Sequence, residues 1–281
     1  MKIGSALYNE TVKILAKPRS YLGLLAITLL VGVILLALAL DGESYLDFVT
    51  ASLEQNLMIE GSLLNGHLVG FIVLQMLVVH LPLLVALVTG DLVSGEAAMG
   101  TLRNLLTRPL SREALLLSKY GASAAYTLVL LLWLGLMAVG VAQWVFGHGD
   151  LAVLSSEGLH ILPSDQVLPR FFQAFGLAFL ALFTVACLSV TFSCLAENSI
   201  GPIVGTMAIV MVFTLIGTLD VPLFDSIRPF LFTTHMAAWR SLFLDPVPWG
   251  DIWFSVWLLC GHCAALMAAG IWILQRKDIL T

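Results

Sequence analysis

The chain has 281 residues, of which 59% are hydrophobic and only 11% charged, with a formal net charge of -5. A soluble domain carries roughly a quarter charged residues, so this composition excludes an ordinary soluble enzyme and predicts an integral membrane protein. No basic surface large enough for nucleic acid is present. The apolar runs are continuous rather than alternating, which predicts helices and not a barrel.

In chain order, a basic, amphipathic start over residues 1–20 leads to six predicted spans at about 21–40, 66–89, 120–146, 171–195, 201–221 and 253–274. Each approaches the roughly 20 apolar residues that a helix needs to cross hydrocarbon. Ala37-Leu38-Ala39 looks like a signal cleavage site. The charge-free run from Tyr21 to Leu40 is nevertheless longer than the 7–15 residues typical of a signal peptide, so a retained helix is expected. Gly201, Pro202, Gly205 and Gly217 interrupt the fifth span. No separate soluble domain, internal repeat or low-complexity segment is evident, and residues 1–281 read as one membrane domain.

Basic residues fix the expected orientation. Grouping alternate segments puts Lys2, Lys13, Lys17 and Arg19, then Arg103, Arg108, Arg112 and Lys119, then Arg276 and Lys277 on one side. Arg170, Arg228 and Arg240 fall on the other. The positive-inside rule then places both termini in the cytoplasm.

Residues 91–119 form a polar island between the second and third spans. Ser94 or Asp91 is positioned to cap a short helix, and Ala98, Leu102, Leu105 and Leu106 recur at three- and four-residue spacing. Arg108-Pro109 ends it, because the residue before proline is pushed out of the helical region. Ser111 then caps a second start with Glu113 in its first turn, extending the third span inward. A helix with one apolar and one cationic side suits docking on another protein; a basic loop that merely anchors topology is the plainer reading.

Asp91, Ser94, Glu96, Gly100-Thr101-Leu102, Arg108-Pro109-Leu110-Ser111-Arg112 and Lys119, in that order behind a second span, resemble the cytoplasmic stretch of ABC-2 type transporter permeases. These are the membrane subunits of ATP-binding-cassette exporters. The likeness extends to the basic start, the six spans and the closing Arg276-Lys277-Asp278-Ile279-Leu280. It implies an all-α integral membrane fold with six transmembrane helices, an N-terminal elbow helix over 1–20 and a cytoplasmic coupling helix within 91–119. The implied coupling residues are Glu96, Gly100, Thr101, Leu102, Arg103, Leu105, Leu106, Arg108, Pro109 and Arg112. The implied partners are a separate ABC ATPase, which holds ATP and Mg, and a second permease copy or paralogue. The implied location is the prokaryotic inner membrane, and the implied cargo of such an export subunit is hydrophobic or amphipathic.

The residues themselves supply no fuel site. A P-loop needs Gly-Lys-Ser/Thr, and none of the five lysines, Lys2, Lys13, Lys17, Lys119 and Lys277, has those neighbours. No catalytic or cofactor-binding set is expected on this chain. An ATP-independent channel or scaffold is the alternative class, and a permease serving copper-enzyme maturation is another. For the latter, His80, Cys187, Cys194, Cys260, His262 and Cys263 are the intramembrane metal candidates, since thiolate and imidazole suit Cu(I). Cysteine also packs as a small apolar residue, so these positions equally suit close helix contact. Residues 222–252 place Phe230, Phe232, Trp239, Phe243 and Trp249 among prolines, predicting short interfacial helices. There Arg228, His235 and Arg240 are candidates to meet headgroups or cargo; the resemblance implies a role in closing the outer mouth.

Overall fold

A computed structural model describes residues 3–50, 64–77, 80–101, 111–155 and 158–277. The protein is predominantly helical, with six helices long and apolar enough to cross a membrane. Helix α1 (Ile3–Ala16) precedes α2 (Arg19–Thr50), whose spanning part is Arg19–Gly42 and which departs from helical geometry at Asp41. The expected second span is two helices, α3 (Gly66–Leu77) and α4 (Leu81–Thr89). The division falls where Pro82 sits in the first turn of α4, a position that tolerates a missing N–H and favours a fresh helix start. A turn leads to α5 (Ser94–Ala98).

The third long helix runs from α6 (Arg112–Gly135) through a π-helical turn (Leu136–Val141) into α7 (Ala142–Phe146). Ser111 caps it by accepting the Ala114 N–H at 3.2 Å, and Glu113 occupies the first turn, as the sequence predicts. Two strands follow, β1 (Leu151–Ser155) and β2 (Gly158–Leu162), antiparallel with Leu151 opposite Leu162. Then come α8 (Ser164–Leu195), α9 (Ile200–Thr218), α10 (Phe232–His235) and α11 (Trp249–Arg276). Short 3-10 turns at Pro222–Phe224, Arg228–Phe230 and Ala238–Phe243 flank α10.

α8 is the hub, packing on α4, α6, α9 and α11. Tight approaches need small residues: Gly66 lies so close to the Gln143 backbone that a side chain has no room, and its N–H donates to Gly147 O at 2.9 Å. α9 and α11 stay peripheral, with most of their apolar side chains outside the bundle.

The stretch from 222 to 248 does not simply rest at an interface. Phe230 and Trp249 are exposed, but Phe232, Trp239 and Phe243 are buried. The Phe243 ring stands edge-on to Phe71 at 5.1 Å and Phe171 at 4.9 Å, so the segment dips between α3 and α8. His235 is buried too, its two ring nitrogens meeting Ser255 Oγ at 2.8 Å and Pro229 O at 2.9 Å, which removes it from the surface role expected of it. Arg170 donates to Leu242 O and Leu244 O, fastening the inserted turn to α8.

Candidate functional site

The buried face of α1 carries Ala6, Glu10 and Ile14 at four-residue spacing, so a carboxylate sits in the middle of an apolar stripe. A charge so placed needs a partner. The partner is Lys119, one of the most completely buried side chains in the protein at 1% exposure, projecting from the second turn of α6. Its ammonium donates to Glu10 Oε2 at 2.8 Å, Glu96 Oε2 at 2.6 Å and Leu92 O at 2.7 Å, which uses all three of its protons. Lys13 completes a ring, donating to Glu10 Oε1 at 2.6 Å and Glu96 Oε1 at 2.8 Å. Each carboxylate thus bridges both ammonium groups, and the four charges cancel.

Burial works against the Glu10 carboxylate, yet the ammonium groups of Lys119 and Lys13 outweigh it and hold the carboxyl below its ordinary range. Burial likewise works against the Lys13 ammonium, and the Glu10 and Glu96 carboxylates outweigh it, holding the amine above its ordinary value. Glu10 and Lys13 are therefore both charged across the neutral range.

Asp91 forms a second knot beside it. Its carboxylate meets Lys17 Nζ at 2.7 Å and Arg19 Nη1 at 2.9 Å and accepts a short hydrogen bond from Ser199 Oγ. Gly95 lies against that carboxylate, with no space for a Cβ. Neither Asp91 nor Ser94 caps α5, contrary to the sequence reading. Asp91 is occupied by cations, and the cap comes from α8, where Ser193 Oγ accepts the Val93 N–H at 3.1 Å and the Ser94 N–H at 2.8 Å. Ser94 Oγ instead donates back to Gly90 O.

Two further cations close helix ends at the same level. Arg112 Nη1 donates to the carbonyls of Leu274, Gln275 and Lys277 at the end of α11, and Lys277 Nζ donates to Cys194 O and Ala196 O at the end of α8. Cations at helix C-termini satisfy orphan carbonyls and oppose the negative end of the dipole.

Of the ten residues expected to act in coupling, Glu96, Gly100 and Thr101 lie together. Gly100 leaves α5 in the left-handed region at φ 68, and Thr101 Oγ1 donates to Glu96 O at 3.2 Å. Arg112 is spent on α11. Leu102, Arg103, Leu105, Leu106, Arg108 and Pro109 lie outside the described residues.

Residues 28–280 match the family described as "Protein of unknown function (DUF2705)". The chain belongs to that family. No curated protein matches it. In this DUF2705 chain the family match takes in Glu96 and Lys119 but starts after Glu10 and Lys13, so the quartet joins the matched region to the helix that precedes it.

The metal candidates do not converge. Cys263 Sγ lies 3.2 Å from Thr184 Oγ1 and beside the Cys187 thiol. Cys194 is buried near Lys277, Cys260 is exposed, His80 Nδ1 meets Met76 O at the end of α3, and His262 Nδ1 meets Leu258 O of its own helix. Among the described residues no three His, Cys, Asp or Glu side chains are placed to hold an ion.

Proposed function

We propose that this DUF2705 protein is the permease subunit of an ABC-2 type exporter, receiving force at the quartet end of the bundle from a separate ATP-binding subunit. The observation that carries the reading is the closed ring of Glu10, Lys13, Glu96 and Lys119, which locks three elements into one unit: α1, the 91–101 segment and the foot of the third span. Removing one member of a buried charge pair leaves an uncompensated charge and costs about 3–5 kcal/mol, so these elements move together rather than slide. A push on the segment around Glu96 and Gly100 then tilts α6 through Lys119, and α8 follows because Ser193 holds the start of α5.

By the positive-inside rule this end is cytoplasmic, where an ATPase is available. ATP and Mg bind the ATPase, whose nucleotide-dependent closure shifts the equilibrium between inward-open and outward-open bundles. Six helices enclose little lumen, so the pathway forms between this chain and a second copy or paralogue, and its apolar walls suit a hydrophobic or amphipathic cargo. The location is a prokaryotic inner membrane.

The experiment is co-purification of the full chain with Walker-bearing ATPase subunits of the same cell, followed by ATPase assays in proteoliposomes. Stable association whose strength changes with nucleotide supports the proposal. Export from liposomes containing this chain alone, or an ATPase that never associates, overturns it.

A further inference from the structure

The third long helix changes register once, in the π-helical turn Leu136–Val141 between α6 and α7. A π-turn bonds residue i to i+5 and holds one residue more than an α-turn, a rare arrangement that recurs at functional sites. Here it is gripped by α3, which packs along it through glycines. Gly66 lies against the Gln143 backbone just beyond the turn, and a Cβ at Gly70 would stand 2.8 Å from Ala138 O inside it. Three hydrogen bonds close the grip on the loop after α7. The Gly66 N–H donates to Gly147 O at 2.9 Å, Asn65 Nδ2 to Asp150 O at 2.8 Å and His67 Nδ1 to Gly149 O at 2.7 Å.

Within that grip one group is left unsatisfied. Gln143, in the first turn of α7, has its Nε2 enclosed with no acceptor among the described residues. This is unfavourable, because the amide has lost water and gained no partner. Helical geometry supplies the remedy. Relaxing the π-turn to α adds about 100°, one residue's rotation, to everything beyond it, so each residue of α7 takes the direction its successor had. Ala142, wholly buried, then occupies the place of Gln143, and Gln143 takes that of Trp144, which is 85% exposed. Trp144 takes that of Val145, also exposed. The interior thus exchanges an orphan amide for a methyl group. Gly147, at φ 74, follows α7 at once and has the backbone freedom to absorb the change.

We infer that Leu136–Val141 is a register switch: when the start of α3 releases the 147–150 loop, the turn relaxes to α-helix and α7 rotates by about 100° while α6 stays in place. Lys119 lies on the inner side of the turn, so the ring at the foot of α6 keeps its contacts while the outer end of the same span turns. The rotation belongs to this chain alone and is measured without an ATPase, so it stands or falls apart from the exporter reading.

The test uses the full chain in phosphatidylcholine vesicles, with Cys187, Cys194, Cys260 and Cys263 replaced. One nitroxide is attached at Trp144→Cys, and the second, in separate samples, at exposed Trp253→Cys on α11 or exposed Asp220→Cys beyond α9. Double electron–electron resonance reads both distances. A rotation of about 100° carries a group on the rim of a helix 10–12 Å across by about 8 Å. The wild type shows one dominant distance to each reference. Asn65→Asp with His67→Phe keeps the Asn65 Oδ1 cap of α3 and a ring at 67 but removes two of the three bonds. It raises the second register about 10- to 100-fold, the worth of two hydrogen bonds, to roughly a tenth of the molecules or more. Gly70→Ala, which pushes a methyl onto Ala138 O, raises it too. Adding Gln143→Leu to either variant removes the orphan donor and returns most molecules to the first register. Deleting Gly140, an exposed residue of the turn, takes out the extra residue, and the second distance vanishes even beside Asn65→Asp and His67→Phe. A single distance in both the Asn65→Asp/His67→Phe and the Gly70→Ala proteins overturns the switch. So does a second distance that survives the Gly140 deletion, since the outer end then moves without a change of register.

Discussion

Lys119 shows how much rests on single charges here. Its ammonium is nearly solvent-free, and replacing it with Met leaves the two buried carboxylates of Glu10 and Glu96 sharing the half-exposed Lys13, a loss of about 3–5 kcal/mol. We expect Lys119→Met to lower the melting temperature in detergent by many degrees, and the triple variant with Glu10→Gln and Glu96→Gln to recover most of it. A triple variant no more stable than the single one would show that the ring contributes little. The pH dependence follows from the same contacts. Glu10 titrates lower in the folded protein, so its contribution is fully present above the ordinary carboxylate value near 4.3 and is lost as pH falls through the depressed one. Lys13 titrates higher, so its contribution is complete below about 10.4 and is lost as pH rises through the elevated value. Melting temperature should be flat from about pH 5 to 10 as far as these two groups determine it, and Glu10→Gln should blunt the acid limb. Of this pairing only Glu10 with Lys13, three residues apart on one helix, is visible in linear spacing, because Glu96 and Lys119 lie far from both in the chain. What was legible is the anomaly that demands it, an acid at the centre of the apolar stripe Ala6, Glu10, Ile14.

At the scale of elements, the capping of α5 from a distant helix yields a distinctive expectation. Ser193→Ala removes the acceptor of two backbone N–H groups, whereas Ser94→Ala leaves both of those bonds in place. Losing such a cap costs about 1 kcal/mol, so hydrogen exchange at residues 93–98 should accelerate several-fold in Ser193→Ala and less in Ser94→Ala. The opposite order would return the cap to Ser94. Sequence spacing could not assign it, since a serine at a helix start reads as its own cap whether or not a neighbour does the work. Six long apolar helices were legible because a continuous apolar run satisfies its backbone in lipid as a helix. The hairpin was not: Leu151, Val153, Ile161 and Leu162 crowd both faces of its strands with apolar residues and erase the period-two pattern that marks a strand. The break between α3 and α4 had a signal in Pro82, but proline is tolerated within membrane helices and does not by itself reveal a new start.

For the whole molecule, sidedness decides whether the proposed mechanism is possible. The quartet, the Asp91 knot and the caps from Arg112 and Lys277 all gather at one end of the bundle, while Arg170 and Arg228 lie toward the other. Force from a soluble ATPase can enter only at a face exposed to the cytoplasm, so the proposal requires the cation-rich end to be that face. Single cysteines in a background with Cys187, Cys194, Cys260 and Cys263 replaced read this directly. Ser111 is exposed at the start of α6, and Asp220 is fully exposed beyond the end of α9. In intact cells a membrane-impermeant maleimide should modify Asp220→Cys and spare Ser111→Cys, with the latter reacting only after permeabilisation. The reverse pattern would put the ring of Glu10, Lys13, Glu96 and Lys119 outside the cell, where no ATP-driven subunit could press on it, and the exporter reading would fall while the fold stood.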